Sequence, residues 1–260
     1  MKICLNADMG ESYGRFRIGD DDALMPLVSS ANIACGMHAG DPSVMVRSIE
    51  LARLHGTSIG AHPGFNDIWG FGRRRIAMDP RDIEYLVTYQ IGALMALAGD
   101  RGAYVGHVKP HGALNNMAHS DGDIARAVAR GIRAAGRDLI FLANCRSEMT
   151  RAGEEEGLCV AHEAYVDREY DDSGKMLSRT EANAVIRDPE KAAAQVLGMI
   201  TEQALITSNG KRIPTRIDTF CIHGDEPTAV ALAKRTNETL SANGIRVVPI
   251  PEMVGEAVVG

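Results

Sequence analysis

Short apolar segments alternate with longer segments of helical periodicity along the chain. The short segments predict eight strands, near residues 2–8, 31–38, 57–62, 104–111, 138–144, 159–167, 218–224 and 245–250. Between most of them apolar residues recur every three or four positions, as at Ile83, Val87, Ile91 and Leu94, which is the period of a helix that buries one face. Strands and helices that alternate in this way are typical of a parallel sheet with helical connections.

Three of the predicted helices carry the same signal at their start. Each begins at an Asp-Pro pair, and these pairs are Asp41-Pro42, Asp79-Pro80 and Asp188-Pro189. The aspartate accepts hydrogen bonds from N–H groups of the first turn, and proline fits there because its missing N–H would have no partner. Glycines 56, 136 and 244 are expected near helix ends, where a left-handed residue often closes the last turn.

The number of strand–helix units favours a closed barrel. Seven or eight units fit a TIM-like (β/α) barrel, and the whole chain, residues 1–260, is expected to form this one domain. An open, doubly wound sheet is the alternative, disfavoured because no Gly-x-Gly-x-x-Gly motif follows the first strand. The sequence also lacks a P-loop motif for ATP. Two polar stretches, residues 63–79 and 168–183, are expected to be long loops.

Composition excludes several classes of protein. With 45% hydrophobic and 24% charged residues, the chain is neither disordered nor fibrous. A net charge of −6 disfavours binding to nucleic acid. The longest stretch without a charged side chain, residues 23–40, is too polar to span a membrane. The five cysteines are scattered and odd in number, so we expect no disulfide framework and a cytoplasmic location.

Polar side chains collect where the predicted strands end. They are Asn6 and Asp8 on the first strand, His38 on the second, His62 on the third, His107, Lys109 and His111 on the fourth, Glu163 and Asp167 on the sixth, and His223 and Asp225 on the seventh. Residues two apart on a strand share a face, and this edge of a parallel barrel is where ligands bind. Six strands with the same feature predict one functional cavity, with Lys109 at the mouth of its strand and its ammonium group reaching the cavity.

The histidines raise the question of a metal ion. His107 and His111 lie on a predicted strand, where four residues separate side chains by about 13 Å, too far to share one ion. Asp8, His38, His62 and His223 come from different strands, and the sequence leaves open whether they meet. A divalent metal is therefore left open, and no metal ligand is assigned.

The segment from Gly64 to Arg75 is a second signal. Its glycines permit tight turns, and Arg73 and Arg74 offer planar donor groups for a carboxylate or a phosphate. A solvated loop and a contact between subunits through Trp69 are the alternatives.

Blocks along nearly the whole chain resemble the LamB/YcsF family. They are Asn6-Ala7-Asp8-Met9-Gly10-Glu11, the segment from Ser30 to Pro42, Gly60-Ala61-His62-Pro63-Gly64-Phe65, Gly70-Phe71-Gly72-Arg73-Arg74, the segment from His107 to Leu114, and His223-Gly224-Asp225. Ala7 and Asn115 depart from the family, which usually has Cys and Tyr there. The family supplies one of the subunits of prokaryotic 5-oxoprolinase.

The resemblance implies a distorted (β/α) barrel, similar to those of glycoside hydrolases and deacetylases. It implies ATP-dependent hydrolytic opening of 5-oxo-L-proline to L-glutamate, in a complex with two further subunits, B and C. Since the chain carries no recognisable nucleotide motif, ATP as co-substrate is expected to bind on a partner or at a shared interface. A homo-oligomer is left open.

Ring opening needs a proton donor, a base and a group that stabilises negative charge. The candidate catalytic residues are Asp8, His38, His62, Lys109, His111, His223 and Asp225. The candidate substrate-binding residues are Asn6, Glu11, Arg73, Arg74 and Glu163. Two alternatives stay open, a stand-alone metal-dependent amidase or deacetylase on the same barrel and a non-catalytic protein that binds a lactam for its partners.

Overall fold

The computed structural model describes residues 1–255 of the chain. Its strands are β1 (Lys2–Met9), β2 (Ser30–Ala34), β3 (Ser58–His62), β4 (Val105–Val108), β5 (Ile140–Asn144), β6 (Val160–Tyr165), β7 (Ala204–Ile206), β8 (Arg212–Pro214), β9 (Thr219–His223) and β10 (Arg246–Val247). Its helices are α1 (Asp21–Leu24), α2 (Pro42–His55), α3 (Pro80–Asp100), α4 (Gly112–Ala118), α5 (Gly122–Ala135), α6 (Glu148–Glu155), α7 (Pro189–Glu202), α8 (Ala229–Ala242) and α9 (Ile250–Val254). The predicted domain, residues 1–260, extends five residues beyond this part.

Parallel strands close into a barrel in the order β1, β2, β3, β4, β5, β6 and β9. The ring closes where β9 pairs with β1, with Cys221 opposite Asn6 and His223 opposite Asp8. β10 pairs in parallel with the first residues of β1, and the helices surround the strands. The TIM-like barrel is confirmed, and each predicted strand has a counterpart.

Most predicted strands are longer than the observed ones, and the differences at β2 and β4 bear on the site. β2 ends at Ala34 rather than at residue 38, because Gly36 takes a left-handed backbone (φ +92°) and turns the chain. β4 ends at Val108 rather than at residue 111, because Pro110 has no N–H to donate. His38, Lys109 and His111 therefore lie in loops that leave the strands. The antiparallel hairpin of β7 and β8 was not predicted, since strands of three residues have too little pattern to detect.

The helix signals are confirmed. Asp41, Asp79 and Asp188 each accept a backbone hydrogen bond at the start of α2, α3 and α7, and a proline follows each of them. The two predicted loops, 63–79 and 168–183, contain no helix and no strand, and the second has only isolated β-bridges. Within residues 1–255 no helix is both long and apolar enough to cross a bilayer.

The inside of the barrel is filled in layers. At the end where the strands begin, side chains from β1, β5 and β6 pack against α9 and form a small apolar cluster, made by Cys4, Ile140, Leu142, Ala161, Ile250 and Val254. The larger core lies between the strands and the outer helices. Because α9 fills one end of the barrel, polar groups that point inward collect at the other.

Candidate functional site

One cavity of about 680 Å³ lies at the end of the barrel where the strands finish. Side chains at its base come from five places in the chain and are Asp8, His62, Lys109, Tyr165 and His223. Loop 168–183, the start of α4 and Arg73 form its walls. Of the eleven residues expected to meet in one cavity, five line it, and these are Asp8, His62, Lys109, His111 and His223. His38 does not line it but stacks behind His111, with ring centroids 3.7 Å apart.

A buried ion pair lies at the base of the cavity. Lys109 Nζ donates to Asp8 Oδ1 at 2.7 Å and lies 2.8 Å from Cys221 Sγ. Burial favours the neutral form of each group, but His62 and Lys109 outweigh it at Asp8, whose pKa lies well below its usual value. Burial is likewise outweighed at Lys109, where the Asp8 carboxylate holds the pKa well above its usual value. Both side chains are therefore charged at neutral pH.

A hydrogen-bonded polar layer supports this pair from below. Asn32 Nδ2 donates to Asp8 Oδ1 at 2.9 Å and to Asn6 Oδ1 at 2.7 Å, and Asn6 Nδ2 donates to Glu163 Oε1 at 3.0 Å. His107 Nε2 donates to Asn32 Oδ1 at 3.0 Å. Gly60 leaves the space that the His107 ring occupies, since a Cβ there would come within 2.1 Å of the ring. Asn6 and Glu163, predicted to touch substrate, lie in this layer and do not line the cavity.

Glu11, His38, His62 and His111 form a buried group that we call the three-histidine cluster. Glu11 Oε1 lies 3.3 Å from His111 Nδ1 and 3.4 Å from His38 Nε2. Burial and the neighbouring His111 lower the pKa of His38 to about 3, so its ring is neutral at pH 7. At Glu11 burial opposes ionisation, but His111 and His38 outweigh it and lower the pKa of the carboxyl. The neutral His38 ring and the Glu11 carboxylate therefore lie side by side in the cluster.

Loop 63–79 covers this cluster. The Phe71 carbonyl oxygen accepts a hydrogen bond from His111 Nε2 at 2.8 Å. Gly72 has φ +62°, and a Cβ at this position would lie 2.7 Å from His38 Cβ. The close approach of the backbone to the imidazoles therefore requires glycine here.

His223 and Asp167 form a second pair at the cavity. His223 Nδ1 donates to Asp167 Oδ2 at 2.8 Å, and the ring stacks on Tyr165 with centroids 5.2 Å apart. Burial of Asp167 is outweighed by His223, so the pKa of this carboxyl is lowered and it stays ionised. Since Nδ1 donates to Asp167, the Nε2 atom is the one free to exchange protons with a ligand.

The structure separates the remaining predicted residues. Arg73 lines the cavity and forms an ion pair with Asp225 at 2.7 Å, whereas Asp225 itself is not part of the cavity lining. Arg74 lies away from the cavity and binds Asp67 of its own loop, with Nε 2.9 Å from Oδ1. The expectation that Arg74 grips a substrate carboxylate is therefore not supported by its position.

Sequence reasoning missed several groups around the cavity. Loop 168–183 folds over it and contributes Arg168, Lys175 and Arg179 to the lining. A loop rich in charged residues is usually exposed to solvent, so only the length of this loop indicated that it could form part of a binding site. Asp167 was placed on a strand face with Glu163, whereas it lies beyond β6 and holds His223. Asn32 lies in a block that resembles the family, but nothing in the sequence indicated the three hydrogen bonds of its side chain.

Comparisons with known proteins cover nearly the whole chain. The sequence profile of the LamB/YcsF family matches residues 3–255. The A subunit of 5-oxoprolinase from Rhodopseudomonas palustris (strain BisB5) is 49% identical over 250 residues, which cover 96% of this chain and 98% of that protein. The same protein from Azoarcus sp. (strain BH72) is 47% identical over 253 residues, covering 97% and 99%. The crystal structure of a lactam utilization protein from Thermus thermophilus has a TM-score of 0.91 at 42% identity, covering 95% of this chain and 99% of that one.

Proposed function

The chain belongs to the LamB/YcsF family, and from this membership we propose that it acts as the A subunit of a 5-oxoprolinase, a hydrolase that opens a cyclic amide. One observation carries the proposal. A buried ammonium group, Lys109, and an imidazole fixed by a buried carboxylate, His223, face the same cavity. Relatives named as the A subunit of 5-oxoprolinase and a structural relative named for lactam utilization support it.

Hydrolysis of a lactam joins a water oxygen to the carbonyl carbon and breaks the carbon–nitrogen bond. Negative charge grows on the former carbonyl oxygen, and the leaving nitrogen needs a proton. Lys109 provides a fixed positive charge for that oxygen, since the Asp8 carboxylate keeps it protonated. His223 Nε2 accepts a proton from the attacking water and returns it to the nitrogen as the carbon–nitrogen bond breaks, and Asp167 acts as a positioning residue that fixes the ring.

The walls of the cavity suit an anionic substrate. Arg73, Arg168 and Arg179 line it, and their guanidinium groups match carboxylate and phosphate oxygens. A volume of about 680 Å³ exceeds what a five-membered lactam with one carboxylate needs, because cavities of roughly 300–1,000 Å³ hold drug-sized ligands. We therefore propose that the cavity takes the lactam together with a phosphoryl group that ATP transfers to its carbonyl oxygen; ring opening then gives an acyl phosphate, and a second water releases glutamate and inorganic phosphate.

ATP use and assembly belong to the same proposal. The chain lacks a P-loop motif, so ATP binds on the B and C subunits or where they meet this chain. Trp69, 95% exposed on loop 63–79, offers an aromatic anchor for such a contact. The five free thiols agree with assembly in the reducing cytoplasm.

The test is the release of glutamate from 5-oxoproline, measured with and without ATP and with and without the two partner subunits. We expect turnover only when ATP and all subunits are present. His223→Gln should then lower turnover roughly a hundredfold or more, the scale of losing a general acid. The matched control is His55→Gln, which changes an exposed histidine at the end of α2 and should leave turnover unchanged. Unchanged turnover in a folded His223→Gln complex would instead favour a protein that only binds the lactam.

One observation favours a second candidate, a stand-alone metal-dependent amidase. The three-histidine cluster borders the same cavity through His62 and His111. Glutamate release by the isolated chain without ATP would support this candidate and contradict the first one.

A further inference from the structure

We propose that the three-histidine cluster is a binding site for one divalent transition-metal ion of the zinc type. Its donors are Glu11 Oε1, His38 Nε2, His62 Nε2 and His111 Nδ1, and the ligand atoms that the four residues offer lie within 4.8 Å of one another. Three imidazole nitrogens and one carboxylate oxygen are a donor set that suits zinc and its neighbours better than magnesium or calcium.

The tautomers of two rings direct their lone pairs to the same point. His62 Nδ1 donates to the carbonyl oxygen of Lys109 at 2.7 Å, and His111 Nε2 donates to that of Phe71. Because carbonyl oxygens only accept, the opposite atoms, His62 Nε2 and His111 Nδ1, carry no proton in the neutral rings. These two atoms lie 3.0 Å apart. Two lone pairs at this distance repel each other unless a cation lies between them.

A single shared proton would satisfy only this pair of atoms. Among the residues that the structure describes, Glu11 Oε1 and both ring nitrogens of His38 are buried without a hydrogen-bond partner. Buried polar atoms of this kind call for an explanation, and a bound ion is one of the usual ones. A metal ion would engage Glu11 and His38 as well as the other two rings.

Three of the donor spacings, at 3.0, 3.3 and 3.4 Å, are close to those around a tetrahedral ion. Metal–nitrogen and metal–oxygen bonds of about 2.0–2.1 Å place neighbouring donors of a tetrahedron roughly 3.3 Å apart. Glu11 Oε1 lies 3.3, 3.4 and 4.0 Å from the nitrogens of His111, His38 and His62. The carbonyls behind His62 and His111 act as the outer partners that metal-bound histidines require.

The test uses the full chain with metal ions alone, in the absence of lactam, ATP and partner subunits. After treatment with a chelator, the protein is titrated with Zn²⁺ and with Co²⁺, and metal content, Co²⁺ absorption and Tm are measured. We expect one equivalent to bind, a Co²⁺ spectrum typical of tetrahedral coordination, and a Tm higher by about 5–10 °C at a hundredfold excess over Kd.

Glu11→Gln and His38→Gln should each lower the affinity for Zn²⁺ by roughly a hundredfold or more, and the matched control His55→Gln should bind as tightly as the unchanged chain. Circular dichroism establishes that each variant folds, and if one does not, the other carries the comparison. The proposal is overturned if the unchanged chain binds less than one equivalent, or if the cluster variants bind no more weakly than His55→Gln. Because no turnover is measured, failure here leaves the assignment to 5-oxoprolinase untouched.

Discussion

Replacing Lys109 by methionine tests whether its ammonium group acts in catalysis or only stabilises the fold. Methionine keeps the length and apolar stem of the side chain but removes the charge that lies 2.7 Å from Asp8 Oδ1. Asp8 would then be a buried carboxylate that keeps its hydrogen bond from Asn32 and its neighbour His62. Removing one partner of a buried pair costs about 3–5 kcal/mol, and these remaining contacts place the expected loss near the lower limit, about 3 kcal/mol. For a chain of this size that corresponds to a Tm lower by roughly 6–12 °C.

We expect Lys109→Met to lose more activity than partial unfolding of the variant could account for. If Lys109 stabilises the oxyanion, Lys109→Met should lower turnover in the complete complex by roughly a hundredfold or more at a temperature where the variant is folded. Lys234→Met, which changes an exposed lysine on α8, is the matched control and should alter neither quantity.

A second substitution tests whether the uncompensated charge of Asp8 causes the loss of stability. Adding Asp8→Asn to Lys109→Met removes the uncompensated charge, so most of the lost stability should return while turnover stays low. Urea unfolding and glutamate release are measured on the same samples. Near-normal turnover in folded Lys109→Met would remove Lys109 from the mechanism. A double variant no more stable than the single one would refute the ion-pair explanation of stability.

Three further predictions follow from other contacts. Asp167→Asn should lower turnover at least tenfold and shift its pH profile, because Asp167 fixes the His223 ring, whereas a purely structural role would leave the profile in place. Burial lowers the pKa of His107 to about 3, so the unfolded chain binds a proton at this histidine before the folded chain does as the pH falls. The free energy of unfolding should therefore decrease below pH 6.5 and continue to decrease towards pH 3, with a loss of about 2 kcal/mol at pH 5. Urea unfolding of His107→Gln at pH 7 and pH 5 should show a smaller decline, and an equal decline would exclude His107 as its source. Gly60→Ala should destabilise the fold by about 1–3 kcal/mol because its Cβ collides with the His107 ring. By contrast, Gly92→Ala in α3, where a Cβ meets open space, should stabilise it by about 0.5–1 kcal/mol, and equal effects of the two changes would contradict this account of Gly60.

The inward direction of Asn6 and Asp8 could be predicted from the sequence, because alternation along a strand is a local property. The same rule placed Lys109 near the cavity even though β4 ends one residue before it. Asp-Pro signals gave the starts of three helices for the same reason, since a cap depends only on its neighbours in the chain.

The meeting of Glu11 with His111 could not be predicted, because both residues lie in loops whose positions depend on how the barrel closes. Arg73 and Arg74 show the same limit within two adjacent residues. Arg73 reaches the cavity and pairs with Asp225, whereas Arg74 binds Asp67. Loop residues carry no periodicity from which a direction could be read.

Closure of the barrel through β1 and β9 has a consequence for the order in which the chain can mature. Asp8 leaves the ribosome long before Cys221 and His223, which lie beside it in the ring but come 213 or more positions later in the chain. The apolar residues that fill the opposite end, Ile250 and Val254, come later still. No fragment that stops before β9 can contain the site, so shortened products of synthesis or proteolysis would lack the pairing between β1 and β9 on which the cavity depends.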